Sequence, residues 1–233
     1  MKKYLLIVWG LLMSVNLVWA QGSPLTLKEV VGYAYSPQYI YGVRSMNDGE
    51  RYTQLSPDHK KIIISSFKTG KEVSTLFDVN DIKRGAKLNY IDGYTLSPDE
   101  SRILIQTQTK AIYRRSFTAV YYIFNVRNNT LEPLSDGGPQ QVPLFSPDGN
   151  QIAFVRDNNL FLVKLLFGNS ESQVTTDGKF NEVLNGIPDW VYEEEFTMSK
   201  CYDWSADSKM IAYVKSVESH VPSFSFAMYK GMA

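Results

Sequence analysis

Four segments of the chain align without gaps: SPDHKKIII (56–64), SPDESRILI (97–105), SPDGNQIAF (146–154) and SADSKMIAY (205–213). Each opens on a Ser-x-Asp turn and runs, after two or three polar residues, into a short apolar strand. The turn has a chemical cause. Proline presets φ for the first central position of a type I turn, and Ser and Asp side chains bond nearby backbone amides. The strands are continuously apolar (Ile62, Ile63 and Ile64; Ile152, Ala153, Phe154 and Val155) rather than alternating, which is how strands buried on both faces read. The copies begin 41, 49 and 59 residues apart, room for several short strands each. Such periods predict the blades of a β-propeller stacked face to face. The expected fold is all-β, with a β-sandwich of similar turns as the alternative.

Further strands fit the repeat. RDNNLFLVKL (156–165) reads as a hairpin leaving the third copy, and AVYYIFNVRNNTLEPL (119–134) as strand, turn and strand within the second. At ~45–50 residues per blade the chain holds about four blades. That suits a small closed ring or the first arc of a larger one. The apolar stretch VPSFSFAMYKGMA (221–233), followed by no closing strand or polar cap, favours the arc. An arc leaves two sheet edges with unpaired backbone groups, which invite association.

Composition narrows the function. Apolar and charged residues make up 44% and 21% of the 233, as in an ordinary globular protein, and the net charge is zero. Nothing there supplies the basic field that nucleic acid or an anionic membrane would require. The first twenty residues, MKKYLLIVWGLLMSVNLVWA, have a basic start (Lys2, Lys3), an apolar run and small residues before a cut expected after Ala20, the form of a secretory signal peptide. Residues 21–233 are then the mature chain, secreted or periplasmic, and no cysteine follows the cut to carry a lipid. The single cysteine, Cys201, cannot make an internal disulfide and reads as a packed residue. His59 and His220 lie far apart with no second ligand at a recognised spacing, so neither a metal nor a cofactor is expected.

The longest gap between copies contains FNEVLNGIPDWVYEEEF (180–196). Insertions in repeat proteins map to loops on one face, often the binding face. Gly186 and Pro188 predict a turn, after which DWVYEEEF reads as a short helix with Asp189 near its N-terminus. Neighbouring carboxylates raise one another's pKa until a positive group relieves them. The residues alone leave two readings, a solvated acidic turn packed by Trp190, Tyr192 and Phe196, or a site for a cation.

NGIPDWVYEEEF resembles the Asn-Gly-Ile-x-Asp-Trp-Val-Tyr-Glu-Glu-Glu signature of the dipeptidyl peptidase IV family, serine exopeptidases of the prolyl oligopeptidase clan. YRRSFTAVYYIFNV (113–126) is similar to that family's Trp-Arg-His-Ser-x-Thr-Ala-x-Tyr segment, and NNLFLVK, DGK and SADSKMIAYVK follow in the family's order. The resemblance spans essentially the whole mature chain. It implies an eight-bladed propeller, of which about four blades are present, and an α/β-hydrolase domain C-terminal to this chain carrying a Ser, Asp and His triad. It also implies peptide N-termini as substrate and a homodimeric full-length enzyme. By motif position Glu194 and Glu195 hold the substrate's free amino terminus, Glu193 faces elsewhere, and Arg114 contacts a substrate carbonyl. Tyr113 stands where the family often has Trp. Arg115 replaces its His and is a competing candidate for the carbonyl.

The chemistry itself is not in the chain. No Gly-x-Ser-x-Gly elbow occurs, and GNSES (168–172), which lacks the final glycine, is expected between strands. His59 and His220 have no serine and acid partners in view. No catalytic residue is expected here, and the chain alone is predicted to be inactive. The expectations are therefore the recognition part of a secreted dipeptidyl peptidase acting on Xaa-Pro or Xaa-Ala termini, or a non-enzymatic periplasmic propeller that binds peptides or a protein.

Overall fold

The computed structural model describes residues 24–37 and 42–222, with Ser225 and Ala227. The predicted signal peptide, 1–20, and most of 221–233 lie outside the described residues. The chain divides into two units, Met1–Tyr41 and Gly42–Ala233. The first contains a short helix, α1 (Leu27–Val31), set by a capping box. Thr26 Oγ1 accepts the Glu29 amide at 3.2 Å, and the Thr26 amide donates back to Glu29 Oε2 at 2.9 Å.

The second unit is built from successive antiparallel meanders. The first sheet comprises β1 (Arg44–Ser45), β2 (Arg51–Leu55), β3 (Lys61–Ser66) and β4 (Glu72–Asp78), paired in chain order. The second comprises β5 (Arg84–Gly85), β6 (Gly93–Leu96), β7 (Arg102–Ala111), β8 (Phe117–Asn125) and β9 (Thr130–Pro133). Its order is β5-β9-β8-β7-β6, with β5 added parallel to β9 at the edge. The third runs β10 (Gln141–Phe145), β11 (Gln151–Arg156), β12 (Asn159–Lys164) and β13 (Ser170–Gln173) in order. GNSES therefore does not lie between strands: Ser170, Glu171 and Ser172 belong to β13 and pair with Lys164, Val163 and Leu162. Last come two two-stranded sheets, β14 (Val183–Asn185) with β17 (Lys215–Val217) and β15 (Tyr202–Trp204) with β16 (Ile211–Tyr213). They are linked by the Gly186 amide donating to Val214 and the Val214 amide to Cys201, and are taken together below as the fourth sheet.

Each repeated turn is built the same way. The Ser56, Ser97, Ser146 and Ser205 hydroxyls donate to Asp58, Asp99, Asp148 and Asp207 at 2.5–2.6 Å. The same hydroxyls accept the amides of Lys61, Arg102, Gln151 and Met210 at 2.8–3.0 Å. One serine thus closes the turn and starts the next strand. The fourth turn residue (His59, Glu100, Gly149 or Ser208) is left-handed in every copy, with φ between 58° and 70°. A related turn without the serine, Met46 to Gly49, joins β1 to β2, the Gly49 amide donating to the Met46 carbonyl at 3.0 Å. The turns also tie neighbouring sheets: Asn47 Nδ2 donates to the Pro98 carbonyl at 2.7 Å, Arg102 to the Gly149 carbonyl at 3.2 Å, and the Asp148 amide to Ser208 Oγ at 3.0 Å.

Two of the strands after these turns, β7 and β11, are buried on both faces, as their unbroken apolar runs predict. In β3 Ile63 is half-buried between Ile62 and Ile64, and in β16 Ala212 and Tyr213 are exposed, against the expectation. In β7, Ile103 and Ile105 pack toward the first sheet with Ile62, Phe77 and Phe124, while Leu104 between them packs toward the third with Phe145, Ile152 and Phe154. In β11, Ile152 and Phe154 face the second sheet, and Ala153 and Val155 join Leu160, Leu184, Ile187 and Tyr202 toward the fourth. Sheets sandwiched in chain order by alternate side chains of their central strands are the blades of a β-propeller. The all-β expectation holds, and the sandwich alternative does not.

Candidate functional site

Two departures from the meander create the site. In the second sheet, β7 and β8 run on past their neighbours as a two-stranded arm, paired through Lys110 with Thr118 and Ala111 with Phe117. Its tip is residues 112–116, closed by the Ile112 amide donating to the Ser116 carbonyl at 2.9 Å. In the fourth sheet the chain leaves at Gly186 and returns at Cys201. The Cys201 amide donates to the Gly186 carbonyl at 2.9 Å, the Gly186 amide to Val214 at 3.0 Å, and the Val214 amide to Cys201 at 2.9 Å. Gly186 has φ +77°, and a Cβ there would sit 3.0 Å from Leu160 Cδ2 and 3.3 Å from Tyr202, so glycine is required on two counts. Cys201 is buried and unpaired, and burial raises its thiol pKa, which suits a packed residue rather than a nucleophile.

The excursion forms α2 (Trp190–Phe196), the helix expected of DWVYEEEF. Asp189 is its N-cap, accepting the Tyr192 amide at 2.8 Å, and Thr197 ends it in the left-handed region. The helix is not held by an apolar face. Trp190, Val191, Tyr192 and Phe196 are all at least half exposed, and the one buried side chain of α2 is Glu193, 1% exposed.

Consecutive residues diverge by about 100° on a helix, and the three carboxylates take three fates. Glu193 turns onto the arm of the second sheet. Its Oε1 accepts the amides of Arg115 at 2.6 Å and Ser116 at 2.9 Å, and Arg115 Nη1 donates to the Glu193 carbonyl at 3.0 Å. Burial alone would raise the Glu193 pKa, but hydrogen bonding from Ser116 and Arg115 and the Arg115 charge outweigh it and hold the pKa below the ordinary value. Glu194 lies beside Arg114, Nε to Oε2 3.2 Å, its side chain 17% exposed against 72% for Arg114. Glu195 is exposed.

The structure thus brings Arg114 and Glu194 together and docks Glu193 on the amides of the next two tip residues, while Glu195, the following residue of the helix, is exposed. Arg115, the competing candidate for a carbonyl, is engaged with Glu193. The part that sequence reasoning missed is the clasp between Glu193 and the amides of Arg115 and Ser116. Its only signal was negative, a third glutamate without a ligand of its own. A cavity of about 530 Å³ opens beside the clasp, lined by Ile112, Tyr113, Ile187, Pro188, Trp190 and Val191 among others. Arg114, Glu194 and Glu195 are not in its lining.

The arrangement pairs a guanidinium with one carboxylate and leaves the next carboxylate of the helix exposed, groups that can make charge-assisted hydrogen bonds about twice as strong as neutral ones. Comparison with known proteins agrees with the motif. Residues 97–233 match the family described as the dipeptidyl peptidase IV N-terminal region. The chain is similar to the crystal structure of Porphyromonas gingivalis dipeptidyl peptidase 4, with 41% identity and a TM-score of 0.82 over 91% of this chain and 30% of that one. It is 36% identical over 228 residues to the "Probable dipeptidyl-aminopeptidase B" of Emericella nidulans, covering 88% of this chain and 24% of the relative. It is 30% identical over 207 residues to human "Prolyl endopeptidase FAP", covering 88% and 26%. The chain spans about a quarter of the length of the curated relatives it matches.

Proposed function

This chain belongs to the dipeptidyl peptidase IV family, within its N-terminal region, and on that premise we propose that it is the substrate-recognition propeller of an exported serine dipeptidyl peptidase. Glu194 and Glu195 bind the α-ammonium of a peptide substrate, and Arg114 binds a backbone carbonyl near it. The observation that carries the reading is the docking of α2 on the arm of the second sheet. It sets Glu194 3.2 Å from Arg114, a carboxylate for a ligand's ammonium and a guanidinium for its carbonyl at one place, with Glu195 exposed as the next residue of the same helix.

The physics of the selection is simple. A peptide α-amine has a pKa near 7.7–8.0 and is largely cationic at neutral pH. An internal segment of a chain, or an acetylated terminus, has no such charge. Anchoring the ammonium at a fixed distance from a nucleophile makes the enzyme count residues from the terminus and deliver the second peptide bond, with Xaa-Pro or Xaa-Ala termini as the substrate class. The nucleophile, its histidine and its acid belong to an α/β-hydrolase domain C-terminal to these blades. The role of this chain is to bind and orient. Residues 1–20 export the protein, and the full-length enzyme is a homodimer.

The test is kinetic, on the full-length enzyme. Glu194→Ala and Glu195→Ala are each expected to lower kcat/KM on a free-amine substrate, raising the barrier by about 1.5–3 kcal/mol, the range for a hydrogen bond to a charged group. Wild-type rates that are equal on free and N-acetylated substrates would overturn the reading.

A further inference from the structure

We infer that Glu193, the glutamate that faces away from the ligand, is a positioning residue that fixes Arg114 against Glu194; this rests on the reading of that pair as a substrate site. The two halves of the site belong to sheets separated by a whole blade. Arg114 sits at the tip of the β7–β8 arm and Glu194 on an excursion from the fourth sheet, with the third sheet between them in chain order. Apolar side chains of both halves line the neighbouring cavity, but those of α2 stay at least half exposed and its one buried side chain is Glu193.

The junction is therefore polar and specific in register. One carboxylate oxygen of Glu193 takes the amides of Arg115 and Ser116, and the Arg115 guanidinium returns to the carbonyl of that same Glu193. Three bonds between one helical residue and two adjacent tip residues fix both the separation and the rotation of the tip. The next residue along the helix, Glu194, then meets the preceding residue of the tip, Arg114. The pairing runs in opposite directions along the two segments, so a clasp at 193 with 115 and 116 places 194 on 114. This gives the run of three glutamates a division of labour, in which one is structural and exacting so that two can be functional. It also gives Arg115 a task other than binding substrate.

The expected consequence is a loss of affinity without loss of fold, transmitted through Arg114. The test uses the protein at the length its cells make and the dipeptide alanylproline, a free-amine ligand with no second peptide bond to cut, with N-acetyl-alanylproline as its uncharged counterpart. Binding is measured calorimetrically for wild type, Glu193→Ala, Arg114→Ala and the double variant. Glu193→Ala is expected to weaken alanylproline binding about tenfold and to add almost nothing in the Arg114→Ala background, because coupled residues are not additive. Glu193→Gln, which keeps an acceptor oxygen in place, is expected to restore most of the affinity.

A folded Glu193→Ala protein that binds as wild type, or losses that simply add in the double variant, would overturn the inference. If Glu193→Ala fails to fold, Glu193→Asp takes its place, since it keeps the charge but withdraws it by one methylene. Full affinity in that variant would count against the inference, and a loss relieved by nothing except Glu193 or Gln would uphold it. Failure of the underlying site reading looks different: wild type would then bind alanylproline no better than its acetylated form. In that case the crystal structure of Glu193→Ala decides alone, and Arg114 still within ion-pair distance of Glu194 would sink the positioning role.

Discussion

The Gly186 carbonyl accepts the Cys201 amide at 2.9 Å, so the excursion that carries the glutamates leaves the fourth sheet and rejoins it at a single point. The strand on one side of that neck is β14 and on the other β15, and both lie along the continuous stretch from Ile211 to Val217. An insertion pinned in this way leaves the sheet's pairing register unchanged. The neck is also braced from the third sheet, where the Asn158 carbonyl accepts the Asn185 amide at 3.0 Å and its Nδ2 at 3.2 Å. Gly186→Ala is expected to lower stability by about 1–3 kcal/mol, from overpacking against Leu160 and Tyr202 with added left-handed strain. Denaturant unfolding of the variant against wild type measures it. An unchanged midpoint would mean that the neck is looser than its hydrogen bonds require.

A second prediction concerns the seam between the second and third sheets. Phe154 is fully buried and stacked on Phe161, ring centroids 5.4 Å apart, and the Arg156 guanidinium lies 4.1 Å from the Phe161 centroid. Removing the Phe154 ring opens a cavity between two blades that cannot collapse without moving a sheet. Phe154→Ala is expected to cost about 3–5 kcal/mol. Val73→Ala on an exposed edge position should change little, since surface substitutions usually stay within about 0.5 kcal/mol. Comparable losses at the two positions would contradict the stacked-blade core.

The repeated turns predict how the protein meets acid. Hydrogen bonds from Ser56 hold the Asp58 carboxyl below its ordinary pKa, and those from Ser146 and Ser205 do the same for Asp148 and Asp207. Asp99, which burial alone would raise, is brought down to about 2 by Ser101, Ser97 and the Arg102 charge. A carboxyl with a depressed folded-state pKa stabilises the fold above its unfolded value, and the contribution is lost as pH falls through the folded value. For Asp99 the contribution is complete above about pH 4, the ordinary aspartate value, and is lost toward about pH 2; the other three lose theirs as pH falls below that ordinary value. The melting temperature should fall across that window, and Asp99→Asn should flatten part of the slope. A profile that is level from pH 5 to pH 2 would show that the turns contribute nothing through charge.

Local chemistry was readable in the chain, and contacts between distant segments were not. The Ser-x-Asp turns announced themselves because the bonds that close each turn lie within five residues, and Ile103, Leu104 and Ile105 gave away their double burial by being consecutive. The turn at Met46 escaped because a methionine stands where the other copies have serine, although its backbone bond is the same. The capping box at Thr26 and Glu29 is legible in TLKE, a threonine three residues before a glutamate. β5 is two residues long and is held by its neighbour, which no pattern reveals. For the site, Glu194, Glu195 and Arg114 were named from a motif, but the clasp of Glu193 on Arg115 and Ser116 joins positions 77 and 78 residues apart across another blade. Only the folded chain brings those together.

The last prediction follows the charge of the ligand rather than that of the protein. If Glu194 and Glu195 receive an ammonium, affinity must depend on that group being protonated. The α-amine of a peptide loses its proton near pH 7.7–8.0. Binding of alanylproline should therefore be full at about pH 6.5 and fall about tenfold per pH unit once pH is well above the amine's own value, because only the protonated ligand is competent. Raising salt should weaken the same binding, since Arg114 is open to solvent and its neighbourhood is screened. A dipeptide whose terminal nitrogen carries three methyl groups keeps its charge at every pH but has no N–H to donate. Its binding should be weak and flat with pH if hydrogen bonds to the carboxylates carry the recognition. Tight binding of that ligand, or a free-amine profile with no fall above pH 8, would mean that the two glutamates read something other than a peptide's amino terminus.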